Sequence, residues 1–340
     1  MNIPLLFATI FLHNTHLIEK HTDGKLIKMI DWYSGYNVFY IYVLLLIMGL
    51  SAIILNLQNL IYFSVFGVYV INVFCLYASY VRKRYIDVLF ILLLISATGG
   101  LFIFIYTWSG FGRLLFAKYF IVILFVWSPV LTKKRNTIIK TLILFLFPVI
   151  VGVSGILRVQ QLRPNEYDLN KSITTGEGAG SIFSTMEHSE LVVNHIMDER
   201  YELLYGESYL ATIFFWIPRN LWPNKPVGFG KQMVKWIQPN LYHTNHSLAG
   251  NYVAEAVANY GYFGYILAIA MIYIVIKLMS YYVKSNNIYK IIIAVIYIVS
   301  IPDLIWGGFF SFFVRATLSS MFCVVIIFFM KKIIIYLYLF

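Results

Sequence analysis

Eight apolar runs, each near the length that crosses a bilayer, bracket one long polar stretch, and few folds accommodate that order. The runs lie at about 38–56, 58–80, 86–107, 116–132, 138–157, 261–282, 288–307 and 311–330. Crossing the hydrocarbon takes roughly 20 apolar residues in a helix, because only an internally hydrogen-bonded backbone is stable there. The segment 2–18 is shorter and is broken by His13, Asn14 and His16, so it either spans or lies at the interface. The pattern predicts an all-α polytopic membrane protein with about 8–9 transmembrane helices and one large loop. Three regions follow: N-terminal spans over 1–157, the loop over 158–260, and C-terminal spans over 261–340. The chain is 60% hydrophobic and 12% charged with mean hydropathy +0.77, which excludes an ordinary soluble domain.

A net charge of +11 raises the question of a nucleic-acid partner, and its distribution answers it. The loop holds 8 Lys/Arg and 10 Asp/Glu, leaving 18 basic and 5 acidic residues for the rest. The basic excess lies in short connections: Lys20/Lys25/Lys28, Arg82-Lys83-Arg84, Lys133-Lys134-Arg135, Lys284/Lys290 and Lys331-Lys332. Cytoplasmic loops collect Lys and Arg in this way. Threading the spans accordingly puts 158–260 outside the cytoplasm, with Arg113, Lys118 and Arg315 near that outer face as interfacial anchors or as contributors to an outward-facing anionic site. No nucleic acid is expected. Cys75 and Cys323 lie in apolar runs and read as buried thiols, with no metal-binding spacing around them.

Inside the loop, Thr174–Gly180 reads as a flexible connector whose glycines lack the context of a phosphate-cradling loop. Ser184-x-x-Glu187 has the form of a capping box, which predicts an amphipathic helix over 185–204 ending at Gly206. His188 and His195 are spaced to share a face of it, but further ligands are lacking and no metal is expected. Tyr209–Ile217 is too short to span and is stopped by Pro218, the pattern of a re-entrant or interfacial helix. It would deliver Arg219 to the membrane–water boundary. Arg219 offers a planar fork of donors for phosphate oxygens and Lys225 a point charge, with Trp222, Pro223 and Pro226 restricting the backbone.

His246–Gly264 predicts a helix leading into the next span. Glu255 sits there among Val253, Ala254, Ala256, Val257 and Ala258, a setting that would raise its pKa and suit proton transfer. A structural pairing of Glu255 with Arg219 or Arg158 fits the residues equally. His246 is a second candidate base, with His243 close by in sequence.

Taken together, Gly206-Glu207-Ser208-Tyr209, Ile217-Pro218-Arg219 with Trp222-Pro223-Asn224-Lys225-Pro226, and Glu255 with Asn259-Tyr260-Gly261 and Gly264 resemble the O-antigen polymerase family (Wzy type, oligosaccharide repeat unit polymerases). The motif match covers 206–264, and the arrangement of spans extends it along most of the chain. Members of that family usually have more spans than are counted here. The resemblance implies a fold related to membrane glycosyltransferases with lipid-linked donors. The implied activity is transfer of an undecaprenyl-pyrophosphate-linked glycan onto a lipid-linked repeat unit at the periplasmic face of the bacterial inner membrane, inverting, metal-independent and without a cofactor. It implies Glu255 or His246 as base, and Arg219, Lys225 and Arg158 at the pyrophosphate. Glu207, Tyr209, Trp222 and Asn259 would contact substrate. The partners implied are that lipid-linked oligosaccharide, the bilayer, a chain-length regulator and a flippase. An O-antigen ligase is the nearest alternative, and a transporter or flippase of lipid-linked oligosaccharide is a further one.

Overall fold

The structure, a computed structural model, describes residues 58–81, 113–127 and 177–339 apart from 245 and 286, with scattered positions between 83 and 99. Among the described residues all regular structure is helical: α1 (Gln58–Val81), α2 (Arg113–Val126), α3 (Glu177–Met197), α4 (Glu207–Ile213), α5 (Phe229–Ile237), α6 (Tyr252–Tyr260), α7 (Phe263–Val283), α8 (Ile288–Val299) and α9 (Ile301–Leu339), with a 3₁₀ turn at Pro239–Leu241. Among the described residues two helical stretches are long and apolar enough to cross a membrane, Phe263–Val283 and Ile301–Val325. The apolar runs 2–18, 38–56 and 138–157 lie outside the described residues.

α1 and α2 with residues 279–299 and 317–339 belong to one compact unit, and residues 177–278 with 300–316 to another; the division falls within α7 and within α9. In the first of these, α2 packs against α1 and α8. Tyr69 donates its hydroxyl to the Tyr119 carbonyl at 3.0 Å, and the Phe66 and Tyr119 rings meet edge to face. Lys118 is a correction to the sequence reading. It is buried rather than an interfacial anchor, with its ammonium 5.9 Å from the centre of the Phe66 ring. Cys75 and Cys323 are free and buried, as expected of small apolar packers.

The other unit carries the loop. Its core joins Val192 and Ile196 of α3, Phe229, Met233 and Val234 of α5, and Ala254, Val257 and Ala258 of α6. Phe229, Met233 and Val234 fall on one face of α5 while Lys231 and Lys235 fall outside the core, so amphipathic spacing fixes how α5 lies. Full burial of each such side chain contributes about 1.5–3 kcal/mol. Small residues of α6 let it approach α3 closely. Asn251 caps α6 by accepting from the Ala254 N–H at 2.7 Å, and its own N–H donates to Ser189 Oγ of α3 at 3.0 Å.

Three boundaries differ from expectation. α3 starts at Glu177, so part of the stretch read as a connector is helical and Ser184 is inside the helix rather than its cap. It ends at Met197, where Glu199 turns left-handed (φ 58°) and the N–H groups of Arg200 and Tyr201 close on the His195 carbonyl. The stretch 246–264 is not one helix: it has no regular secondary structure up to Asn251, is helical over α6, and is broken at Gly261 before α7 begins.

Candidate proton-transfer site around Glu255

Glu255 is fully buried in α6, and the side chains and backbone around it come from three places in the chain. Ser208, in the first turn of α4, donates its hydroxyl to Glu255 Oε1 at 2.9 Å. The Phe309 N–H donates to Oε2 at 2.5 Å, and the Phe310 N–H adds a further backbone bond. Those two amides are free because α9 is interrupted at Gly308 (φ 73°, ψ −178°), so residues 309 onward begin a new helical segment whose first N–H groups have no partner within it. The segment's N-terminal dipole also favours negative charge there. Glu255 does not pair with Arg219, and Arg158 lies outside the described residues.

Two effects act on the Glu255 proton in opposite directions. Burial raises its affinity, while the bonds from Phe309, Ser208 and Phe310 stabilise the carboxylate and lower it. Burial wins, and the carboxyl is pushed up from 4.5 to about 7. Between these values the folded chain keeps a proton that the unfolded chain releases. Stability from this group is therefore complete below about pH 4.5 and falls as pH rises through about 7, by about 3 kcal/mol at most. Glu255→Gln cannot ionise, so the drop in unfolding temperature between about pH 5 and about pH 8 should shrink in that variant when both proteins are melted in detergent. An equal drop in the two would mean that Glu255 does not titrate in this window.

Asn259 is buried one turn further along α6. Its Oδ1 accepts from the Gly206 N–H at 2.9 Å, and its Nδ2 donates to Ser208 Oγ at 2.8 Å and to the Glu255 carbonyl at 2.7 Å. These bonds tie its amide to Gly206, Ser208 and the Glu255 backbone. Tyr209 lies against Tyr260 (ring centres 6.3 Å) and edge-on to Phe309 (5.8 Å). Its hydroxyl is buried with no hydrogen-bond partner among the described residues, and burial first, then the Glu255 and Tyr260 charges, hold its proton on more tightly than usual.

The cation loop is a separate construction. Successive turns run from Pro218 to Trp222 and from Trp222 to Lys225, and Trp222 packs edge-on against Phe214. Lys225 donates to the carbonyls of Phe215 and Ile217, both at 2.9 Å, and its own carbonyl accepts from Arg219 Nη1 at 3.0 Å. Desolvation, then the Arg219 charge, lowers the Lys225 pKa. Lys225 thus ties the loop shut, while Arg219 is exposed and its one described hydrogen bond leaves most of its five N–H donors uncommitted among the described contacts. Ile213, Trp216 and Leu221, in the flanking sequence, are exposed as well. Among the described contacts, neither cation bonds to Glu255.

His246 is exposed, with its N–H on Thr244 Oγ1, and its charge reaches His188 rather than Glu255. Glu207 is exposed at the start of α4. Among the described residues no group of three His, Cys, Asp or Glu side chains is placed to hold a metal ion. Comparison with family models, curated proteins and solved structures gives no match to this chain.

Proposed function

We propose that the chain is a multi-pass glycosyltransferase of about 8–9 spans that polymerises O-antigen or a related surface polysaccharide at the periplasmic face of the bacterial inner membrane. The observation that carries this reading is Glu255: a buried carboxyl with a pKa near 7, set beside an unpartnered tyrosine hydroxyl, suits base catalysis at neutral pH. In the reaction an acceptor sugar hydroxyl oxygen bonds to the anomeric carbon of the undecaprenyl-pyrophosphate-linked glycan as the carbon–phosphate oxygen bond breaks on the opposite face, giving inversion. The hydroxyl proton passes to Glu255, and the pyrophosphate leaves with the bonding pair. Arg219, pre-positioned by its bond to the Lys225 carbonyl, stabilises that developing charge.

The test is the polysaccharide ladder of a deletion strain complemented with wild type or Arg219→Ala. Deletion should leave single repeat units on the lipid core, and Arg219→Ala should restore elongation about 10²-fold less well than wild type. A deletion that leaves no repeat unit on the core would point to a ligase instead. A second reading, transport of the lipid-linked oligosaccharide, is favoured by one observation: α9 is broken at Gly308 and carries the buried Asp303 bonded to Arg315 at 3.0 Å across that break. Discontinuous helices with internal charges recur in transporters. Translocation by purified protein in liposomes without elongation would establish that reading over the polymerase.

A further inference from the structure

The hydrogen bonds around Glu255 have a direction that can be derived from one obligate donor. The Gly206 N–H can only donate, so the Asn259 atom it meets at 2.9 Å is the oxygen. The amide nitrogen of Asn259 is thereby turned to Ser208 Oγ. Because that nitrogen only donates, Ser208 Oγ accepts from it and must place its single proton elsewhere. Its partner is Glu255 Oε1 at 2.9 Å, which has to accept. On the other side of the carboxyl, Oε2 faces the Phe309 N–H, a second obligate donor.

We infer that Asn259 and Ser208 are positioning residues for Glu255, a one-way donor chain that fixes the carboxyl as an acceptor and so sets the face on which it takes up a proton. The inference rests on the proposed role of Glu255 as base. The groups facing the carboxyl are Ser208 and Tyr209 from α4, the Phe309 and Phe310 N–H groups from α9, and Asn259 behind Ser208 on α6. Of these only Tyr209, next to Tyr260, can titrate, and no cation or second carboxylate is paired with Glu255 among the described residues. A proton arriving at Glu255 must occupy a lone pair that faces none of Ser208, Phe309 and Phe310. Tyr209 Oη is the buried polar atom beside the site with its hydrogen-bonding capacity open, suited to hold the acceptor hydroxyl that delivers it.

Infrared titration of the full-length protein in nanodiscs tests this directly through the protonated-carboxyl stretching band that Glu255→Gln removes. Ser208→Ala deletes a donor to the carboxylate and should raise the midpoint of that band by about one pH unit. The rising limb of elongation against pH should move with it, lowering kcat about tenfold below the new midpoint with KM little changed. Ser208→Thr keeps the hydroxyl and should keep the wild-type midpoint. Ser208→Cys, nearly isosteric with a weak donor, gives the same upward movement if the alanine variant does not fold. A midpoint unmoved in folded Ser208→Ala or Ser208→Cys overturns the positioning role. If the midpoint moves as expected while Glu255→Gln elongates normally, the donor chain stands and the assignment of Glu255 as base falls.

Discussion

Glu255→Gln is expected to lower chain elongation at neutral pH by about 10²–10⁴-fold, the range that a positioned general base contributes. The substitution keeps the size and one acceptor oxygen of the side chain, so α6 has no steric reason to move. It removes the ability to take up a proton. It also turns an amide nitrogen towards either Ser208 or the Phe309 N–H, both of which now donate to Glu255. Glu255→Asp keeps the ionisation but withdraws the carboxyl by one methylene from Phe309, and should recover part of the rate. In wild type the rate should climb with pH through about 7, since the base works deprotonated. The measurement is elongation of lipid-pyrophosphate-linked repeat units in proteoliposomes, with insertion of each variant checked. Wild-type rates from Glu255→Gln would reduce Glu255 to a structural latch between α4, α6 and α9.

The parts of this site legible in the sequence were those that declare themselves locally. Glu255 among alanines and valines announces a perturbed carboxyl, and Arg219 and Lys225 among prolines announce a held pair of cations. The apolar runs announce helices, and α7 falls within a residue or two of the run read for it. What the sequence hid depends on contacts between distant segments. Ser208 is one serine among many until α4 and α6 meet. Asn259 stands out in the sequence only through the resemblance, as a substrate contact, and only the return of Gly206 to its side chain makes it a buried anchor. The start of α3 is hidden because the capping-box pattern at Ser184 is a common local one, and its end because the left-handed Glu199 that stops the helix carries no glycine signal. Gly307-Gly308 was a readable clue, since glycine inside a helical run invites a break. That the break aims two N–H groups at a carboxylate far away in sequence was not.

Gly308 is also where a single methyl group should do the most damage. Its φ of 73° lies where an L-residue is strained, and a Cβ there would sit 2.6 Å from Glu255 Oε2 and 3.2 Å from the Gly250 carbonyl. Gly308→Ala therefore asks for a left-handed alanine and for a carboxyl displaced from the two N–H groups that hold it. The two costs together come to about 2–4 kcal/mol. The chain has two ways to respond, and both lead to the same loss. If the break is kept, Glu255 is pushed off Phe309. If the alanine draws residues 301–339 towards a continuous helix, the free N–H groups close on carbonyls of the preceding turn, and Glu255 is left buried with Ser208 as its one strong donor. In either case the carboxylate loses stabilisation, so its pKa should rise further and elongation at neutral pH should fall about as far as in Glu255→Gln. The melting temperature should drop as well. Gly307→Ala separates crowding from conformation: its added methyl would sit 2.8 Å from Ser311 Cβ, so Ser311 must shift, but residue 307 does not share the left-handed conformation and the methyl does not meet Glu255. A Gly308→Ala protein that melts and elongates like wild type would show that the carboxyl does not depend on the broken helix.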